Sequence, residues 1–185
     1  MASAGDEAEV AAAEEKPDLI VLDWMLPGRD GIEILKAVRA RGNKTPVLLL
    51  KGAPTKRLWA NKYNGLGGHV EANEDIHTAA LREVEEETGL HVDQLTLRGV
   101  VNINTGRDEN GLRPGVMMFV FVGKSQERQL LSTPEGTPEW IPTSAASQYP
   151  LVEDLYEVLP RALADGELFY GHYWPDEMGK MNFKL

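Results

Sequence analysis

Residues 67–90, GGHVEANEDIHTAALREVEEETGL, gather Glu83, Glu85, Glu86 and Glu87 within five positions of a stretch where Ile76, Ala80 and Val84 recur at helical spacing. Like charges three and four apart on a helix repel by about 0.2–0.5 kcal/mol per pair. Such a helix therefore calls for positive charge from outside itself. At 100° per residue Glu83, Glu86 and Glu87 share a sector of about 100°, whereas Arg82 and Glu85 point elsewhere. The apolar stripe lies beside that sector, so Glu87 is expected near the protein body. Gly89 after Thr88 reads as the glycine that stops the helix. Hard divalent cations such as Mg²⁺ take oxygen ligands and keep positions for water and phosphate, which suits converging carboxylates. A merely solvated acidic face is the alternative, and the residues around the cluster decide against it.

Those residues are Gly68, Glu74 after five more, Arg82-Glu83 after a further seven, then Val84, Glu86-Glu87, Gly89 and Leu90. The spacing matches the Nudix box at every position, and over residues 47–185 the chain resembles a Nudix hydrolase. The resemblance implies an α/β fold, an α/β/α sandwich with a mixed sheet, whose motif forms a loop and helix that hold Mg²⁺, with Mn²⁺ as an alternative, against a diphosphate. Carried over by position, it implies metal ligation by Glu83, Glu86, Glu87 and the Gly67 carbonyl, with Glu74 and Arg82 as an orienting pair. Gly68 then permits a close turn of the loop. The implied chemistry is attack of water on phosphorus, with a carboxylate taking the proton. Glu86 is the favoured base, and Glu83 and Arg82 complete the catalytic set. Lys51, Lys56, Arg57 and Lys62 are candidates to balance phosphate charge, each with a solvated-cation alternative.

The run KYNGLGG resembles the MutT-type oxidised-purine nucleoside triphosphatases, in which the Asn at the place of Asn64 reads the base edge. An amide donates and accepts at once, although Asn64-Gly65 is also a common turn pair. Glu135, five residues before Trp140, stands at the place of a further acidic metal ligand in that group. YPLVEDLY resembles its base-contacting segment, making Glu153 and Asp154 candidates and Tyr149 or Tyr156 a stacking partner. The expected substrate is a purine nucleoside triphosphate of 8-oxo-dGTP type, cleaved to monophosphate and diphosphate. The alternative is another nucleoside diphosphate derivative such as ADP-ribose.

Ahead of this region, residues 1–16 combine Ala with acids and read as a frayed tail. PDLIVLDWML, GIEILKAVRARG and TPVLLLKG then give strand, helix and strand, the sequence order of a βαβ unit. Here the chain resembles the receiver domain of response regulators, with Asp23 at the phosphate-acceptor position. The receiver's first strand with its acidic pair is missing, and Lys51 stands where a hydroxyl residue belongs. Residues 17–46 thus read as a receiver-like segment, and a phospho-receiver signalling module using Asp23 is the non-enzymatic alternative. Downstream, LTLRGVVNINTG and GVMMFVFVG form a long hairpin, PEWIP a short strand, LVEDLYEVLPRALADG a helix disturbed at Pro160, and ELFYGHYW and MNFKL terminal strands.

The net charge of −10 over 185 residues argues against a nucleic acid polymer or an anionic membrane as partner. A small-molecule nucleotide then needs local cations. With no cysteine, leader or long apolar run, a cytoplasmic location is expected, as monomer or homodimer.

Overall fold

The computed structural model describes residues 19–22 (backbone only), 46–109, 111–164 and 166–185. The expected tail 1–16, Asp23 and the helix expected over 31–42 lie outside the described residues. Strand β1 spans Leu19–Leu22 and β2 spans Pro46–Gly52. β2 is apolar at four successive positions because both its faces are covered. Leu48 and Leu50 pack with Ala80 and Val84 of helix α1 (Ile76–Thr88), while Val47 and Leu49 pack with Leu155, Val158 and Leu159 of helix α2 (Leu155–Leu163). Helices on opposite faces make the α/β/α sandwich implied by the motif.

Strands β3 (Tyr63–Asn64) and β8 (Gly136–Pro142) flank β2, both antiparallel to it. A second sheet holds β4 (Leu95–Ile103), β7 (Val116–Gly123), β9 (Phe169–Pro175) and β10 (Met181–Lys184) in the order β1-β7-β4-β9-β10. Only β4 and β9 pair in parallel, so this sheet is mixed. The long hairpin is β4–β7, and β5 (Arg107–Asp108) with β6 (Gly111–Leu112) forms a short ladder at its tip.

Two details differ from the sequence reading. The strands on either side of residues 23–45 occupy different sheets: β1 pairs antiparallel with β7 from Leu19↔Gly123 to Leu22↔Val120, and β2 pairs with β3 and β8. The parallel pairing of a βαβ unit is absent between them. The helix containing Pro160 begins at Leu155, four residues later than its apolar pattern does. Its last turn is held by the Arg98 guanidinium, which donates to the carbonyls of Ala162, Ala164 and Gly166, where a cation also meets the negative end of the helix dipole. No described helix is long and apolar enough to cross a membrane.

Candidate active site

Helix α1 starts where Asp75 accepts the amides of His77 and Thr78 at 2.8 and 3.0 Å, and stops where Gly89 adopts φ 74°. Between these caps the helix presents its carboxylates to a loop that begins with Gly67-Gly68. Glu87 is only 6 % exposed. Its Oε2 accepts the Gly67 amide at 2.9 Å, and among the described residues no cationic side chain reaches it at hydrogen-bond distance. Burial pushes its carboxyl up to about 8; the Gly67 amide opposes the shift, and the charges of Glu83 and Glu135 add to it. Glu83 lines a hollow with Gly67, Gly68, Ile76, Ala79 and Phe119. A side chain at position 68 would collide with it, because a Cβ there would lie 2.4 Å from Glu83 Oε1. Glu85 is exposed, as expected.

Arg82 departs from the helical-wheel reading. Instead of pointing elsewhere it folds back over the site, donating to Glu83 at 2.9 Å, Glu86 at 3.0 Å, Glu74 at 2.7 and 3.1 Å, and the His69 carbonyl at 3.1 Å. The wheel gives the direction of Cβ, and a long guanidinium arm can reverse it. The pairing with Glu74 holds the Glu74 carboxyl below its usual range. It also clamps the loop to the helix.

The other expected residues divide into two groups. Lys56 and Glu135 form a 2.8 Å ion pair, and both charges act on Glu87, so Glu135 joins the carboxylate cluster from the turn before β8. Farther along, Lys62 pairs with Glu153, and Lys51 lies 5.5 Å over the Tyr63 ring. The Asn64 side chain accepts the Gly65 amide at 2.9 Å, the turn use of that pair. Tyr149 meets Tyr63 edge-on at 5.3 Å, whereas the Tyr156 hydroxyl is spent on the Tyr149 carbonyl and the Leu151 amide. Arg57 is exposed on its loop. The structure adds Glu139, which accepts the Tyr63 hydroxyl at 2.9 Å. No local pattern marks it, since its partner is 76 residues away.

Asp154 faces inward, 7 % exposed, and accepts the Tyr173 hydroxyl at 3.0 Å. Burial pushes its carboxyl up to about 6 from an ordinary 3.8. A raised folded-state value means that the group's contribution to stability is complete below pH 3.8 and is lost as pH climbs through about 6. Asp154→Asn keeps an acceptor for Tyr173 and removes the ionisation. Relative to the parent, the variant is expected to be more stable at pH 8 than at pH 4, by on the order of 2 kcal/mol. Urea denaturation at the two pH values measures the difference; equal differences would mean that Asp154 is not ionising inside the fold.

The motif spacing and the clamped loop–helix geometry agree with the match of residues 34–162 to the NUDIX domain model. The chain belongs to the NUDIX family. Residues 1–62 also match the response regulator receiver domain, overlapping the NUDIX match. Human m7GpppN-mRNA hydrolase NUDT17 is 37 % identical over 84 residues, 45 % of this chain and 25 % of that protein. The phosphate regulon regulator PhoB of Rhizobium meliloti is 43 % identical over 58 residues, 29 % of this chain and 26 % of that protein. The chain thus spans about a quarter of the length of these curated relatives. Among solved structures, the MutT protein of Bacillus halodurans superposes with TM-score 0.62 at 26 % identity, covering 75 % of this chain and 88 % of that one. The NUDIX domain of Shewanella oneidensis NrtR in complex with ADP ribose shares the fold, with TM-score 0.54 at 18 % identity over 84 % of this chain and 96 % of that one.

Among the described residues no three His, Asp or Glu side chains close into a metal cage. In this NUDIX site Arg82 draws Glu83 and Glu86 to itself, and the Gly67 amide draws Glu87. The donor set is nevertheless all oxygen, and it contains a buried carboxylate, Glu87, that feels the charges of Glu83 on the same helix and Glu135 before β8. That composition fits a hard dication.

Proposed function

We propose that the chain is a Mg²⁺-dependent nucleotide pyrophosphohydrolase that cleaves a purine nucleoside triphosphate, including an oxidised, 8-oxo-dGTP-like one, to monophosphate and diphosphate. The observation that carries this reading is Glu87, a carboxylate buried against Glu83 and Glu135 with only a backbone amide bonded to it. An unpaired buried charge is costly unless a cation shares it. Glu83, Glu86, Glu87, Glu135 and the Gly67 carbonyl would hold the ion, with Mn²⁺ as a substitute. When bound, it supplies charge neutralisation at the phosphate oxygens and at the leaving group.

The chain's own residues do the rest. Glu86 has the most exposed side chain of the three on the helix, so it can reach water and take its proton as the water oxygen attacks phosphorus. The bridging P–O bond breaks, and its electrons leave with the departing phosphate. Arg82 holds Glu74, Glu83 and Glu86 in one frame. At the other end Tyr149, Asn64 and Glu153 receive the base, with Lys51 and Lys62 near the phosphates and Asp154 fixed behind through Tyr173. The catalytic domain is 47–185, acting in the cytoplasm, with 17–46 a receiver-like segment and 1–16 a tail.

Identity to a cap hydrolase supports a second reading, a nucleoside diphosphate derivative. A hydrolysis panel of dGTP, 8-oxo-dGTP, GTP, ADP-ribose and a cap analogue, each with Mg²⁺ and with excess chelator, separates the two. The expected result is chelator-sensitive release of diphosphate from a purine triphosphate. Turnover that persists in chelator would sink both readings. A phosphate adduct at Asp23 with no nucleotide turnover would favour the signalling module.

A further inference from the structure

The loop 53–62, between β2 and β3, has a closed neck. The Gly52 amide donates to the Lys62 carbonyl and the Asn61 amide to the Gly52 carbonyl, each at 3.0 Å. A Cβ at Gly52 would lie 2.8 Å from the Trp59 carbonyl oxygen, and Trp59 itself holds φ at 55°, a left-handed conformation that a bulky residue adopts only at a cost. Opposite, Gly136 pairs with Gly52 across the β2–β8 ladder, and the turn before it is closed by hydrogen bonds between Thr133 and Gly136. Two constrained turns thus stand side by side, and the Ala53 amide joins them by donating to the Glu135 carbonyl at 3.0 Å.

From these mounts the side chains of Lys56 and Glu135 meet at 2.8 Å. They are 37 % and 61 % exposed, so the pair by itself stabilises the fold little. Its position matters more than its strength. The charge of Lys56 favours the ionised form of buried Glu87, against the charges of Glu83 and Glu135. Lys56 therefore brings positive charge to the carboxylates proposed to hold a dication. A lysine ammonium is a compact charge on a flexible four-carbon stem, able to exchange one oxygen partner for another.

We propose that Lys56 is a resident counter-ion for Glu135, and that it gives up this carboxylate to a dication when the phosphates of a nucleotide offer it a new partner. The inference rests on the pyrophosphohydrolase reading and adds to it a coupling between metal and nucleotide. A dication brought to Glu135 alone must turn Lys56 out into water or lie beside its charge. Brought with a nucleotide, the same ion leaves Lys56 paired to a phosphate. Each ligand then strengthens the other by an equal factor. Lys56 is in this sense a positioning residue, acting through Glu135.

The test measures Mn²⁺ binding to the full chain by the electron paramagnetic resonance of the free ion. It is run alone and with the α,β-methylene analogue of GTP, whose bridge resists hydrolysis, after subtraction of the Mn²⁺ that the analogue holds by itself. The variants are Lys56→Met, Glu135→Gln and the two together. Without analogue, Lys56→Met should bind Mn²⁺ at least about 5-fold tighter than the parent, and the enhancement produced by the analogue should be smaller by a similar factor. In the Glu135→Gln background Lys56→Met should change Mn²⁺ affinity by less than about two-fold. Arg57→Met, which removes an exposed charge screened by salt, should also stay within about two-fold of the parent. Thermal melting checks folding, with Lys56→Gln as the replacement if Lys56→Met melts early.

Mn²⁺ affinity unchanged by Lys56→Met would overturn the proposal. An undiminished effect of that substitution beside Glu135→Gln would do the same, making Lys56 a general charge near the site. If the parent turns over no nucleotide while the Mn²⁺ pattern holds, the hydrolase reading fails and the counter-ion stands. Mg²⁺-dependent turnover with Mn²⁺ affinity indifferent to Lys56 sinks the counter-ion alone, and an absence of Mn²⁺ binding in the parent and every variant sinks both.

Discussion

Glu87→Gln is expected to lower turnover by at least about 10²-fold while making the metal-free protein more stable. Glutamine retains the acceptor for the Gly67 amide, 2.9 Å from the present carboxylate, but removes the charge that would face the ion. Loss of one key electrostatic contact has this scale. Without metal, burial and the charges of Glu83 and Glu135 push this carboxyl up to about 8, so at neutral pH folding must protonate it, a cost on the order of 1 kcal/mol or more that glutamine does not carry. Thermal unfolding in chelator should therefore shift upward. Glu86→Gln should match the loss of turnover without a comparable gain in stability, because Glu86 is exposed and bonded to Arg82. Glu85→Gln, facing solvent, should remain within a few-fold of the parent. If Glu85→Gln proved as damaging as Glu87→Gln in a folded protein, the metal-facing assignment would be wrong.

Gly68→Ala is expected to produce the next largest effect, a loss of turnover on the order of 10²-fold with little change in melting temperature. The added Cβ would lie 2.4 Å from Glu83 Oε1 and 2.7 Å from its Cδ. The obstructing group is the free end of a flexible side chain, so it can swing away cheaply. What it cannot do is swing away and keep its place beside Arg82 and Glu87. Displacement of a catalytic group by about 1 Å can cost that much rate. The discriminating measurement is Mg²⁺ titration of activity beside thermal melting. A large loss of stability would mean that the glycine serves loop folding, and unchanged activity would mean that Glu83 is dispensable.

Where local chemistry decided the structure, the sequence was legible. The helix stop at Gly89, the burial of Glu87 and the long β4–β7 hairpin all follow from spacing within one segment. TPVLLLKG reads as a strand and forms β2, whose four consecutive apolar residues are all buried. Arg82 was misread because helical phase positions a Cβ, and a guanidinium several bonds farther out can turn back. The hydrogen bond from the Tyr156 hydroxyl to the Tyr149 carbonyl closes a loop only after the chain has folded. Glu139 beside Tyr63 arises from strand pairing between distant segments. No pattern within either segment carries that information.

The pairing of β1 with β7 bears on how a receiver-like segment can share a chain with a NUDIX domain. Four residues, Leu19–Leu22, contribute their backbone amides and carbonyls to the rim of the larger sheet. Without them β7 would present an open row of donors and acceptors, a template for adhesion to other molecules. Main-chain complementation of this kind asks of its donor only an extended apolar stretch, indifferent to the ancestry of the segment that supplies it. A fragment from an unrelated architecture can in this way become a permanent hem on the sheet, sealing it against aggregation while leaving the carboxylate helix untouched.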